Sequence, residues 1–440
     1  MRRLAIIDHV VSAGGVERFL HGLVSGMLEL PEIRDWEITI LLKKSNSAGR
    51  KVDWPPHLCA GNLNVKYLRD EKLSRILDRL ASAKRIWKIP GTGRAIRMIP
   101  SIFKKVGNLR MRGLAGEVKA WIENYCRRNR LDLVYFSYPY LMDCPSLQNP
   151  MVVTPHDFNY KHLTTFDEQA RALIDRQTPE WLHRSRSLVV SSEFVAAELY
   201  AFYPEVGNKV RIIRPGIPES RRKPSSDEIS AYSQRAGLPE RFILTTGWIV
   251  PHKNQKVLFD ALHYLRARGC DIPLVFTGPN SDQLRAISSQ GNGGYLMETL
   301  EFARSLGLEY RRDFLALGYV GDYELECLYQ LAAALVVPSL YEAGSFPVLE
   351  AVNASCPVLC SKIPALVEQS RLLGENLWLF DPLDPKELAA SVQEMLANKW
   401  LARFRAERAK ELASTVYSWK KAAAGYLDAF KEAMDEGRGP

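Results

Sequence analysis

Pro338-Ser339-Leu340-Tyr341-Glu342-Ala343-Gly344-Ser345-Phe346-Pro347-Val348-Leu349-Glu350-Ala351 follows the apolar run Leu335-Val336-Val337 and sets two carboxylates eight positions apart. The run before it reads as a buried strand, and the proline-started segment after it reads as a helix. The turn therefore falls at the carboxyl end of a parallel strand, where open α/β sheets bind ligands. Gly344 allows close backbone approach, and Ser345 is expected as an N-cap at a helix start whose unpaired N–H groups suit an anion. Glu342 is expected to stay in the turn, with Glu350 about two turns into the helix. Two acceptors of different orientation could then flank one phosphorylated, polyhydroxy ligand.

The segments on either side extend this pattern. Short apolar runs at Leu4–Ile7, Ile38–Leu42, Val65–Leu68, Leu133–Phe136, Met151–Thr154, Leu188–Val190 and Val210–Ile213 alternate with helical stretches such as Glu17–Leu30 and Leu114–Arg128. The second half repeats the scheme more regularly, with strands at Phe242–Thr245, Leu274–Thr277, Phe314–Leu317 and Leu335–Val337 and helices at Asn254–Ala267, Leu296–Leu306 and Tyr323–Ala334. Near-continuous apolar runs separated by helices are the mark of parallel sheets covered on both faces. Three further helices are expected after Pro385, and Arg214-Pro215-Gly216-Ile217-Pro218 with the polar stretch to Ser226 reads as a hinge. At 440 residues the chain suits two domains of roughly 200 residues each.

Four motifs in this order resemble those of the retaining glycosyltransferases of family 4, the group 1 type. They are the paired glutamates, Met151-Val152-Val153-Thr154-Pro155-His156-Asp157, Gly247-Trp248-Ile249-Val250-Pro251-His252-Lys253-Asn254, and Gly14-Gly15-Val16-Glu17-Arg18. The resemblance implies a GT-B architecture: two Rossmann-like doubly wound α/β domains facing each other across a cleft. It implies an N-terminal acceptor domain over 1–218, a nucleotide-sugar domain over 219–415, and a last helix, 416–440, crossing back to the first. It also implies His156 and Glu342 as catalytic residues. Gly14, Gly15, Gly247, Lys253, Val320, Gly344, Ser345, Phe346 and Glu350 would hold the donor, with Glu350 on the ribose hydroxyls and Lys253 on the diphosphate. Carboxylates suit hydroxyl recognition because they only accept when ionised, and a lysine before a helix is a natural point charge for a diphosphate. The family often has an arginine six residues before that lysine, where this chain has Gly247. A glycine there resembles a branch with mannosyltransferase-like members, so GDP-mannose is the first expected donor and a surface-glycan or lipid-linked precursor the expected acceptor. No cofactor or metal is expected, the nucleoside diphosphate sugar being a substrate. A sugar-nucleotide epimerase or phosphorylase would share the architecture.

Charge is concentrated in one place. Between Lys72 and Arg112 twelve lysines and arginines face Asp78 alone, a local +11 against +9 for the whole chain. Trp87, Ile89, Ile96, Ile99, Phe103 and Val106 interleave with them, so this insertion reads either as a face for anionic lipid or an acidic acceptor, or as a helical excursion with solvated charges. A nucleic-acid-binding role is prompted by the basic pI, but no binding module accompanies it. The seven cysteines form no CxxC or metal-like pairing, and the chain is expected in the cytoplasm. No run of about 18 apolar residues suggests a membrane span, and Asp8 and His9 break the N-terminal apolar run too early for a signal peptide.

Overall fold

A computed structural model describes residues 1–8, 15–43, 54–55, 58, 61–68, 116–163, 167–218, 222–285 and 294–435. Gly14 and the whole basic segment 72–112 lie outside them. Among the described residues the chain forms two parallel sheets. The first has the order β3-β2-β1-β4-β5-β6-β7, from β1 (Arg2–Asp8), β2 (Trp36–Lys43), β3 (Leu63–Leu68), β4 (Leu133–Phe136), β5 (Met151–Val153), β6 (Ser187–Val190) and β7 (Val210–Ile212). The second has the order β10-β9-β8-β11-β12-β13, from β8 (Ile243–Thr246), β9 (Leu274–Thr277), β10 (Phe314–Ala316), β11 (Ala334–Val337), β12 (Val358–Ser361) and β13 (Trp378–Phe380).

The central strands are buried on both faces, and their side chains alternate between two cores, whereas the edge strands β3 and β7 are partly exposed. In β1, Leu4 and Ile6 join the cluster that contains Trp36 and Phe430, while Ala5 and Ile7 join the one that contains Phe136 and Trp181. In β11, Ala334 and Val336 face one cluster and Leu335 and Val337 the other. Two-faced burial is why these strands read as unbroken apolar runs. In both sheets the strand order reverses beside the first strand, between β1 and β4 and between β8 and β11. The crevice at such a reversal is where doubly wound sheets bind ligands.

The helix Trp419–Asp435 buries Ala422, Ala423, Tyr426, Leu427, Ala429, Phe430 and Ala433, and it packs on the helix Gly15–Leu28 and on β4 to β6 of the first sheet. Burying a residue the size of Leu427 or Phe430 contributes about 1.5–3 kcal/mol. Its first residue, Trp419, sits in a socket of three glycines. A Cβ at Gly22, Gly26 or Gly216 would lie 2.1, 2.2 or 2.3 Å from Trp419 atoms, and Trp419 Nε1 donates to Ile217 O at 2.9 Å. Gly26→Ala tests the socket, because two effects there have opposite signs. Helix propensity alone favours alanine by about 1 kcal/mol, whereas overpacking against the Trp419 backbone costs about 1–3 kcal/mol. The clash should win, and calorimetry should find a lowered Tm; an unchanged or raised Tm would mean the helix is loosely seated.

Several elements differ from the sequence expectation. Glu350 lies just over one turn into its helix, Phe346–Asn353, because Ser345 remains extended and the helix starts only at Phe346. Ser345 occupies the N-cap position, but its hydroxyl makes no capping bond. The polar stretch after the hinge leads straight into a helix, Ser226–Ala236, started by a capping box between Ser225 and Glu228. The chain also forms the helices Glu168–Arg184, Glu193–Phe202 and Pro364–Leu372, beyond those expected from the sequence.

Candidate functional site at the inter-sheet cleft

The loops that follow β8 and β11 meet at the switch point of the second sheet. After β8, Gly247 takes φ +116° and its N–H bonds Thr277 O at 2.9 Å. That backbone conformation favours glycine over any side chain. The chain then makes a single 3₁₀ turn, Pro251–Lys253, and leaves it through Asn254 at φ +53°. Lys253 Nζ donates to Glu342 Oε1 at 2.5 Å, and Ser339 Oγ donates to the same oxygen at 2.7 Å. The backbones are stitched together too, Leu340 N–H to His252 O at 2.7 Å. Burial, with the Lys253 ammonium beside it, pushes His252 down to about 4, so its imidazole is neutral at pH 7.

Beyond Glu342 the turn opens at Gly344, φ +152°. Ser345 is gripped by the Gln369 amide, which accepts from Ser345 N at 3.2 Å and donates to Ser345 O at 3.1 Å. The Ser345 hydroxyl is buried and unpartnered, and it lines the cavity. Glu350 is only 8% exposed. Tyr329 OH donates to its Oε2 at 2.9 Å, while Arg18, from the helix Gly15–Leu28, pairs with Oε1 and reaches Asp322 Oδ1 at 3.1 Å. Burial raises the Glu350 carboxyl above its ordinary range, and Arg18 opposes that shift. Val320, on the loop after β10, is partly buried against the core that also holds Val348 and Leu349.

The opposite wall comes from the first sheet. His156 and Asp157 follow β5, and His156 Nε2 lies 2.7 Å from Ser137 O. A carbonyl only accepts, so Nε2 carries the proton and Nδ1 is left as an acceptor. Burial holds this imidazole down at about 4. Burial also pushes the Asp157 carboxyl up to about 6, against the Asn159 N–H that its Oδ1 accepts at 3.2 Å. Gly15 starts its helix facing the Phe346 ring, which is 3.7 Å from where a Cβ would be. Gly15, His156, Asp157, Glu342, Gly344, Ser345 and Phe346 line one cavity of about 290 Å³. Glu350 and Arg18 line a neighbouring one of about 570 Å³. Lys253 bonds Glu342 behind the first cavity's wall, and Lys253, Gly247 and Val320 line neither of these two cavities.

Residues that pattern reading passed over also hold the two walls together. Glu368 accepts from Glu193 N at 2.9 Å and Phe194 N at 2.8 Å, at the start of the helix Glu193–Phe202, with Arg214 Nη2 at 3.2 Å. Arg18 was visible in the sequence beside the glycine pair; nothing there signalled that it crosses to Glu350.

The model of the family described as "Glycosyl transferases group 1" matches residues 228–413. A D-inositol 3-phosphate glycosyltransferase of Salinispora arenicola is 27% identical over 56% of this chain and 55% of its own length. A serotype-specific mannosyltransferase of Escherichia coli is 27% identical over 56% of this chain and 29% of its own length. The match thus spans about half or less of these two curated relatives. In fold, the chain resembles sucrose-phosphate synthase from Thermosynechococcus elongatus, with a TM-score of 0.72 at 15% identity over 99% of this chain and 100% of that one. The architecture is GT-B, and residues 228–413 are similar to the group 1 glycosyl transferases.

Proposed function

We propose that this protein is a retaining hexosyltransferase that moves a hexose from a nucleoside diphosphate sugar to a glycan or lipid-linked acceptor in surface polysaccharide synthesis. The observation that carries the reading is the Lys253–Glu342 pair at the switch-point crevice, whose Glu342 shares one cavity with the neutral His156. Lys253 would turn from Glu342 to the departing diphosphate, joined there by the N–H groups at the start of the helix Phe346–Asn353. The freed Glu342 would accept from donor-sugar hydroxyls, and His156 Nδ1 from another. Glu350 would grip the ribose. Retention needs no covalent nucleophile if the acceptor attacks from the face the diphosphate leaves, the departing phosphate taking the acceptor proton. With charge offset by Lys253 and backbone dipoles, transfer would proceed without a metal ion.

GDP-mannose is the first donor to test, for two reasons: Gly247 stands where an arginine is common, and the Escherichia coli relative is a mannosyltransferase. The basic segment 72–112 would rest on anionic lipid at the inner face of the membrane, bringing the cleft to a lipid-linked acceptor. No helix among the described residues is long and apolar enough to cross a membrane. The test is a thermal-shift screen with GDP, UDP and ADP and their sugars. A ligand at 100 times its Kd stabilises by about 2.7 kcal/mol, so one base should raise Tm by several degrees more than the others. Release of free nucleoside diphosphate only when acceptor is added would separate transfer from epimerisation. No shift with any nucleotide would overturn the reading.

A further inference from the structure

The turn that carries Glu342 is held from the opposite wall on both sides of that residue. Tyr341 belongs to the second sheet's turn, yet its side chain enters the first domain and is 8% exposed. Its hydroxyl accepts from Phe158 N at 3.1 Å and donates to Glu198 Oε2 at 2.7 Å. A phenol can do both at once. Its ring stacks on His162 at 5.1 Å between centroids, and the His162 Nε2 pairs with the other oxygen of Glu198. Ala343, on the other side of Glu342, accepts from Ser192 Oγ at 3.1 Å. Ser192 is the N-cap of the helix Glu193–Phe202 that carries Glu198, so one helix clamps residues 341 and 343 together.

The partners of Tyr341 are as telling as its burial. Phe158 comes directly after Asp157, so the phenol bridges the chain one residue past Asp157 to the chain one residue before Glu342. Glu198 is 6% exposed, and a buried carboxylate stays only where donors satisfy it. Tyr341 and His162 supply those donors here. Simple packing would require neither the paired hydrogen bonds nor an acid at the bottom of the socket.

We infer that Tyr341, seated on Glu198 and the Phe158 N–H, is a positioning residue that fixes the Glu342 turn against the His156–Asp157 loop across the cleft. The inference rests on the transferase reading for its effect on turnover and on the hydrogen bonds alone for the strut itself. The strut acts on Glu342 and His156–Asp157, on the sugar side of the cleft; it bonds neither Glu350 nor Lys253 itself, and Lys253 meets it only through Glu342, which the Ser339 hydroxyl also holds. Turnover should therefore suffer while nucleotide affinity is kept.

Tyr341→Phe keeps the ring and removes only the hydroxyl. Amide exchange at Phe158 should rise at least tenfold, with the β5 amides unchanged. Turnover of the nucleoside diphosphate sugar selected by the thermal-shift screen should fall at least tenfold in kcat, with the Kd for the free nucleoside diphosphate within twofold. Glu198→Ala should match it, and Glu198→Gln, which keeps an acceptor in the socket, should recover most of the loss. Unchanged protection at Phe158 would overturn the strut, and raised exchange with normal kcat would overturn its positioning role. If the wild type consumes no nucleoside diphosphate sugar, the transferase reading fails, and Phe158 exchange still decides whether the strut exists.

Discussion

Lys253→Ala is expected to lower kcat/KM by a hundredfold or more while leaving the fold intact. The size follows from the loss of one preorganised donor to a developing negative charge, which costs about 2.7–4 kcal/mol in well-studied enzymes. The site gives the lysine little redundancy. Gly247 stands where the family resemblance would lead one to expect an arginine, and at its φ of +116° a side chain would be strained. What remains besides Lys253 is the backbone N–H groups of Gly344 and Phe346, each a partial charge, since the Ser345 N–H is held by Gln369. Stability should change little, because Lys253 is partly exposed and its partner Glu342 keeps the Ser339 hydroxyl. Lys253→Arg should recover more activity than alanine, since charge is kept although its shape differs. Transfer should persist in excess EDTA. A near-normal Lys253→Ala enzyme whose activity vanishes in EDTA and returns with Mg²⁺ or Mn²⁺ would sink this account of the leaving group.

The parts of this protein that could be read from its residues share one physical property: they are local. Strands such as Leu133–Phe136 and Leu274–Thr277 are buried on both faces, so their apolar runs stand out at their true boundaries. The turn at Glu342 and the loop at Lys253 could be read because glycine and proline mark where strands stop and helices start. What could not be read was long-range or conformational. Tyr341 and Glu198 are 143 positions apart, and Glu368 and Phe194 are 174 apart. A period of two or 3.6 residues tells which face is buried and says nothing about which distant side chain it meets. The buried hydroxyl of Ser345 escaped because a serine before a helix ordinarily caps it, whereas here the Gln369 amide ties down the backbone of Ser345. Short or mostly polar elements, such as β13 and the helix Ser226–Ala236, carry too few apolar residues to establish a period.

Glu350→Ala is expected to weaken binding of the preferred nucleoside diphosphate at least tenfold. Hydrogen bonds to a charged group contribute about 1.5–3 kcal/mol each, and 1.4 kcal/mol is a factor of ten in affinity. Alanine, however, also removes the acceptor of Tyr329, whose hydroxyl is fully buried, and an orphaned buried donor costs about 1–3 kcal/mol of stability. Glu350→Gln is the cleaner variant. Its amide oxygen can still receive the Tyr329 hydroxyl, and Arg18 keeps Asp322, so Tm should stay nearer the wild-type value than in the alanine variant. Only the negative charge toward the ribose is lost. If Glu350 serves the nucleotide, both variants weaken binding by titration calorimetry, and the glutamine form does so without a matching loss of Tm. If the carboxylate exists only to hold Arg18 and Tyr329, the glutamine form binds nucleotide as tightly as the wild type. In that case the part-buried Arg18–Glu350 pair is a contact between the two domains and no part of the donor site.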